Sequence, residues 1–91
     1  MATIECAVAG QGLRSSECVV VIVDFRGKKH FLRVENDFLT QGKWLPVGIV
    51  GRDDSAQAVL VELPYEAETG ANRLWVSRSV VRESTPEVAK A

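Results

Sequence analysis

The chain has 91 residues, 46% of them hydrophobic, with 11 Lys and Arg against 12 Asp and Glu and a net charge of -1. This length fits one small domain, and the balanced charge disfavours a general nucleic-acid or membrane-surface binder, which typically carries excess Lys and Arg. No apolar run reaches about 18 residues, and the N-terminal stretch has no basic segment, so we expect neither a membrane span nor a secretory signal. We expect one domain over residues 1–83 and a flexible tail over residues 84–91.

The first element is predicted over residues 3–8, where apolar and other residues alternate. Ile4, Cys6 and Val8 share one face, which is typical of a half-buried strand. Residues 10–16 contain two glycines and two serines and predict a loop. Cys6 and Cys18 are too few for a disulfide framework and lack the spacing of a metal site. We therefore expect a cytoplasmic, reduced protein.

The second strand is predicted over residues 17–25, E-C-V-V-V-I-V-D-F, and its β-branched residues disfavour a helix. A turn containing Gly27 connects it to a return strand over residues 29–35, so the two form a hairpin. On the return strand Lys29, Phe31 and Arg33 share one face.

The remaining elements are short. Residues 36–43 form a connection with one helical turn around residues 37–39, and residues 64–72 form a loop. Strands are predicted over residues 44–52, 57–63 and 73–76. In the tail, Thr85 and Pro86 resemble the start of a helix, which is too short to persist.

Short strands separated by turns indicate an all-β barrel or sandwich. The segments A-V-L-V-E-L-P and R-L-W-V-S-R-S-V-V-R resemble the closing half of an SH3-like barrel, in which a 3₁₀ turn (residues 77–79) precedes a last strand (residues 80–82). The resemblance implies a small barrel of five or six antiparallel strands. It does not imply proline recognition, because Ser77 and Val80 replace the proline and tyrosine that such domains present.

The strand over residues 17–25 is apolar on both faces, which one barrel layer does not cover. One orientation fills the barrel with Val19, Val21, Val23 and Phe25 and leaves Cys18, Val20 and Ile22 facing outward. The reverse orientation exposes the other set. Exposed, such an uncharged β-forming segment promotes aggregation. The first strand or residues 36–43 would cover it internally. We favour a homo-oligomer, most simply a dimer, with its interface at Cys18, Val20 and Ile22.

A ligand site is predicted around Trp75. Leu74 and Val76 would point into the barrel, so Trp75 and Arg73 would point outward, and Trp and Arg are enriched at binding hot spots. Packing of Trp75 beneath the loop is the alternative. The other aromatic candidates for this surface are Phe31, Tyr65 and Trp44.

The basic residues of the hairpin support a different function. Arg26, Lys28, Lys29 and Arg33 surround Phe31, a pattern typical of base-stacking nucleic-acid surfaces. A solubilising strand edge is the simpler interpretation.

Catalysis has little support in the sequence. His30 is the one histidine and is predicted to be a solvated strand residue, and Asp53 and Asp54 are predicted to serve a turn. We expect no metal and no cofactor. An enzyme whose site forms only at an oligomer interface remains an alternative.

The sequence thus predicts a cytoplasmic, non-catalytic binding or adaptor module that works as a homo-oligomer, with a protein or peptide partner. Its size and isolation are consistent with a product of a mobile bacterial gene cassette.

Overall fold

The computed structural model describes residues 2–83, which form an all-β fold. The predicted fold class is confirmed. The strands are β1 (Ala2–Glu5), β2 (Ala7–Gln11), β3 (Glu17–Val23), β4 (Lys29–Glu35), β5 (Trp44–Asp53), β6 (Ala58–Glu62), β7 (Arg73–Ser77) and β8 (Val81–Glu83). Two 3₁₀ helices span Asn36–Phe38 and Arg78–Val80.

The strands form two antiparallel sheets. One sheet has five strands in the order β7-β6-β5-β1-β8, and the other has three in the order β2-β3-β4. The two sheets do not close on each other into a barrel. Eight strands occur in residues 2–83 rather than the predicted five or six, partly because the first predicted strand contributes to both sheets.

That division occurs at Cys6. Its backbone N–H donates to the carbonyl of Lys43 at 2.9 Å, so β1 stays with β5, whereas β2 continues alongside β3. Ile4 and Cys6 are buried as predicted, but Val8 is exposed. The alternation therefore predicts burial correctly only as far as the chain stays in one sheet.

The hairpin of β3 and β4 has one core face and one outer face. Val20 pairs with Leu32, and both are buried, whereas Val21 pairs with Phe31 on the outer face. The core cluster combines this inner face with residues of the other sheet, namely Ile4, Cys6, Cys18, Val20, Ile22, Leu32, Val34, Leu45, Val59, Val61, Leu63, Ala67, Leu74 and Val76.

Two glycines are required by the local backbone. Gly27 closes the β3–β4 turn at φ +88°, a left-handed conformation that side chains disfavour. Gly12 directly follows β2, where the chain approaches Glu17 so closely that an added Cβ would lie 2.5 Å from the Glu17 Cβ. Both turns thus depend on the absence of a side chain.

The second half agrees closely with the sequence pattern. The predicted helical turn after β4 is the 3₁₀ helix Asn36–Phe38, and the predicted closing turn is Arg78–Val80, followed by β8. Ser77 begins this turn by accepting the Ser79 N–H at 3.3 Å on its Oγ. The tail prediction, with Thr85 and Pro86, lies outside the described residues.

Candidate functional site

A cleft of about 420 Å³ lies between the β3–β4 turn and β7. This volume falls in the range of small-ligand sites, about 300–1,000 Å³. The lining residues are Asp24, Phe25, Arg26, Asp53, Ala56, Ala58, Arg73, Leu74 and Trp75. We refer to this cavity as the Trp75 cleft.

β7 presents Trp75 to the cleft through strand alternation. Leu74 and Val76 are buried, so Trp75 points outward with 42% of its surface exposed, and Arg73 is exposed beside it. Of the two orientations that the sequence left open for Trp75, the outward one is observed. The opposite wall is attached to β7 directly, because the Phe25 N–H donates to the Trp75 carbonyl at 2.7 Å.

Asp24 shapes the turn that forms this second wall. Its Oδ1 accepts the backbone N–H groups of Arg26 and Lys28, each at 2.9 Å, and its Oδ2 lies 2.9 Å from His30 Nε2. Partial burial opposes the charged carboxylate, but these hydrogen bonds outweigh it and lower the pKa of Asp24. The Asp24 carboxylate therefore already has hydrogen-bond partners within the hairpin that it stabilises.

Asp53 is satisfied in the same way. Its Oδ1 accepts the Ser55 hydroxyl at 2.8 Å and the Ala56 N–H at 3.1 Å, and these bonds lower the pKa of Asp53. The predicted turn role of this residue is confirmed. Both carboxylates of the cleft thus already accept hydrogen bonds from their own turns.

The two guanidinium groups are less engaged. None of the ion pairs within residues 2–83 includes Arg26, and Arg73 lies 3.8 Å from Glu62, with both side chains about half exposed. An exposed pair of this kind contributes about 0–1 kcal/mol. The cleft therefore combines two exposed aromatic rings with N–H donors that remain available to a ligand.

His30 differs from its prediction. The sequence predicted a solvated residue, but its side chain is buried, with 4% of the residue exposed. Nε2 donates to the Asp24 carboxylate, and Nδ1 is hydrogen-bonded to the Thr69 hydroxyl at 2.7 Å. Strand alternation places His30 with Leu32 on the core face, where its two polar partners compensate for the lost hydration.

This Thr69–His30–Asp24 chain contains the group types of a nucleophilic triad. Of its three members, only Asp24 lines the Trp75 cleft, so the Thr69 hydroxyl does not face the cavity that would hold a substrate. The chain connects the β3–β4 hairpin to the β6–β7 loop. We interpret it as a structural tie.

The other predicted ligand residues do not converge on Trp75. Phe31 is exposed on the outer face of β4, and Tyr65 packs against Phe38 with ring centroids 5.4 Å apart. Trp44 is buried, and the Arg82 guanidinium lies 3.9 Å from its ring centroid. Trp44 does not line the Trp75 cleft, because its ring is buried with the Arg82 and Lys43 side chains over it.

The predicted oligomer residues are in the core. Cys18, Val20 and Ile22 are 7%, 0% and 1% exposed. Their assignment to an interface is wrong, because this face of β3 packs on the five-stranded sheet. The outer face carries Val19 and Val21, which are half-buried, and Val23, which is 49% exposed. The reverse orientation, left open by the sequence, is the observed one.

The predicted basic residues are all exposed, but they divide into two groups. Lys29 and Arg33 lie on the outer face of β4 with Phe31, whereas Arg26 belongs to the Trp75 cleft. Lys28 lies in the β3–β4 turn, between Arg26 and Lys29. The hairpin does not gather the four charges into one site.

Sequence reasoning missed Phe25 and Asp24 as members of the site. The pattern placed both at the end of a strand, whereas β3 ends at Val23 and the turn begins at Asp24. The available signal was Asp24 itself, since Asp before Gly in a short connection commonly hydrogen-bonds the turn backbone.

Comparison of this chain with known families, proteins and structures identifies no relative. No family model matches the chain, and neither a curated protein nor a solved structure does. In residues 2–83, no group of three or more His, Cys, Asp or Glu side chains is arranged to hold a metal ion. No helix in the same range has the length and apolar character needed to cross a membrane.

Proposed function

We propose that this protein is a non-catalytic binding or adaptor module that acts as a homo-oligomer and takes its ligand in the Trp75 cleft. The observation that carries the proposal is the pairing of exposed Phe25 and Trp75 across a cavity with two available guanidinium groups. Aromatic and Arg side chains together are the composition of binding hot spots. Single exposed hydrophobic residues are common on protein surfaces, but two aromatic side chains that line one cavity form an apolar patch, which supports a binding role.

The chemistry of the cleft favours a peptide ligand. The guanidinium groups of Arg26 and Arg73 offer donors, so the ligand should supply acceptors such as backbone carbonyls or a carboxylate. The aromatic rings favour an apolar side chain. Asp24 and Asp53 keep the site close to neutral, which disfavours a polyanion. A peptide with one apolar side chain next to an acidic residue meets all three conditions.

We further propose an SH3-like arrangement of the strands and a reducing, cytoplasmic setting. The divided first strand, the bent β5 and the 3₁₀ turn before β8 support the former. Two free, buried cysteines, Cys6 and Cys18, support the latter.

A displayed library of random short peptides, selected on the immobilised protein, tests the binding proposal. Peptides that are enriched should bind Trp75→Ala at least about 30-fold more weakly, as a hot-spot loss of about 2 kcal/mol requires. Tyr65→Ala is the matched control, because Tyr65 is an equally exposed aromatic residue outside the cleft. Failure to enrich any peptide, or equal binding by Trp75→Ala, would contradict the proposal.

Nucleic-acid binding is the second candidate, supported by the exposed row of Lys29, Phe31 and Arg33 on β4. A fluorescein-labelled single-stranded oligonucleotide measures it by anisotropy. The hypothesis predicts an affinity that falls steeply with salt and is lost in Lys29→Glu. Absent or salt-independent binding would eliminate this candidate and leave the Trp75 cleft unaffected.

A further inference from the structure

β2 forms an unprotected edge of the three-stranded sheet. It pairs with β3 on one side, and all five residues of Ala7–Gln11 are exposed and uncharged. An edge of this kind is a template for another strand. We infer that a second copy of this chain pairs antiparallel along β2, about a two-fold axis close to Ala9. The inference rests on the homo-oligomeric part of the proposed function and supplies its surface.

The other edge strands in residues 2–83 are protected. β4 carries Lys29 and Arg33, and its Phe31 carbonyl accepts the Glu68 N–H at 2.9 Å. β7 is bonded to the β3–β4 turn through the Trp75 carbonyl. β8 has three residues, of which two are charged. Among the described residues, β2 has neither charges nor a covering segment, and a register shift at Ala9 is its one irregularity, so it is the edge most open to a partner.

A two-fold axis favours the uncharged composition of β2. Near such an axis each residue meets its own copy, so a charged side chain would face an identical charge. Ala9 is small and neutral and avoids this repulsion. The register of β2 and β3 shifts between Val8 and Gly10, so the edge bends at Ala9. An axis at this point places the bends of the two copies at the same level.

Leu13 supplies an apolar anchor for the same arrangement. It follows β2 closely and is 82% exposed, the highest value among the exposed large hydrophobic residues. Leu13 lies beyond the last residue of β2, whereas Glu5 lies before its first residue, at the opposite end of the edge. A groove of about 240 Å³ begins there, lined by Glu5, Cys6, Ala7, Val21, Val23 and Val80. In an antiparallel pair, the Leu13 end of each copy lies next to the groove end of the other, so Leu13 is the apolar side chain nearest to the partner's groove.

The length of β2 limits the strength of this contact. Stable interfaces bury about 800 Å² per partner, and a five-residue edge with one leucine anchor offers less. The dimer should therefore be concentration-dependent, with a dissociation constant on the order of micromolar or weaker.

Sedimentation velocity over a concentration series tests the surface. Wild type should pass from monomer to dimer, whereas Ala9→Lys and Leu13→Asp should raise the dissociation constant at least tenfold. Val50→Lys is the matched control, because Val50 is an exposed valine on β5, outside the groove, and should leave dimerisation unchanged. Circular dichroism confirms that each variant is folded, which is expected because all three positions are exposed.

Cysteine crosslinking tests the axis itself. Neighbouring antiparallel strands hold paired Cα atoms about 4.5–5.5 Å apart, within disulfide range, so Ala9→Cys should form a crosslinked dimer on oxidation. Val50→Cys should form no disulfide-crosslinked dimer in the same assay, although it should still associate, and the native cysteines are buried.

The outcomes separate the two proposals. A dimer that survives Ala9→Lys and Leu13→Asp, with no Ala9→Cys crosslink, would overturn this interface and leave the homo-oligomer standing. A monomer at every concentration would overturn both. Neither result alters the peptide test of the Trp75 cleft.

Discussion

The strongest test of the fold is a pair of identical substitutions on the two faces of β3. Val20 is 0% exposed and Val23 is 49% exposed, and the two lie three residues apart on one strand. Val20→Ala and Val23→Ala remove the same two carbon atoms. Any difference between them therefore reports the environment of each side chain.

The expected difference follows from burial. Removing two buried carbon atoms costs about 1.6 kcal/mol in transfer free energy, and the cavity left at Val20 raises the total to about 2–3 kcal/mol. At Val23 half of the surface is already hydrated and no cavity forms, so the cost stays below about 1 kcal/mol. In a domain of this size, Val20→Ala should lower Tm by about 10–20 °C.

Urea unfolding followed by tryptophan fluorescence and far-UV circular dichroism measures both free energies of unfolding. Ile22→Lys extends the test, because a lysine at a position that is 1% exposed should prevent folding. Equal costs for the two alanine variants, or a folded Ile22→Lys protein, would refute the assignment of the inner face.

Three further predictions concern single groups. Because the pKa of Asp24 is lowered in the folded protein, its stabilisation is present above the unfolded pKa of about 3.9 and is lost as pH falls through the folded value. The difference in free energy of unfolding between wild type and Asp24→Asn should therefore shrink below about pH 4, and a difference constant from pH 7 to pH 3 would contradict this. Burial, with smaller contributions from Cys18 and Glu5, raises the pKa of Cys6 to about 11. At pH 8, Ellman's reagent should therefore modify Cys6 only after the protein is unfolded in urea. Rapid modification of the native protein would contradict the burial of this thiol. Gly27→Ala should lower the free energy of unfolding by about 1–2 kcal/mol because Gly27 has φ +88°. Gly10→Ala, at an open position without positive φ, should change the free energy of unfolding by no more than about 0.5 kcal/mol. Thermal melts that rank the two variants in the reverse order would contradict the turn geometry.

Much of the secondary structure could be predicted because it depends on neighbours in sequence. Turn residues such as Gly27, and alternation such as that around Trp75, act within one strand or one turn. The boundaries of β4 and the 3₁₀ turn after Ser77 are accordingly close to their predictions, and the outward orientation of Trp75 is one of the two that the sequence left open. The same locality explains why the turn role of Asp53 was correct.

The site required information that no single segment contains. Phe25 meets Trp75 only because the β3–β4 turn is hydrogen-bonded to β7, which lies about fifty residues later. His30 is buried because Asp24 and Thr69 satisfy both of its nitrogens, and Thr69 belongs to a distant loop. A sequence pattern describes the polarity of such residues but not their partners.

The sequence by itself determined that this is an all-β domain with strands at these positions, because period-two alternation and turn chemistry are local properties. Only the tertiary structure decided which face of β3 is inside. Cys18, Val20 and Ile22 are as apolar as Val19, Val21 and Val23, so both orientations satisfy the pattern equally. The choice follows from the contact of β3 with the five-stranded sheet, and it also determines which surfaces remain for a ligand and for a second copy.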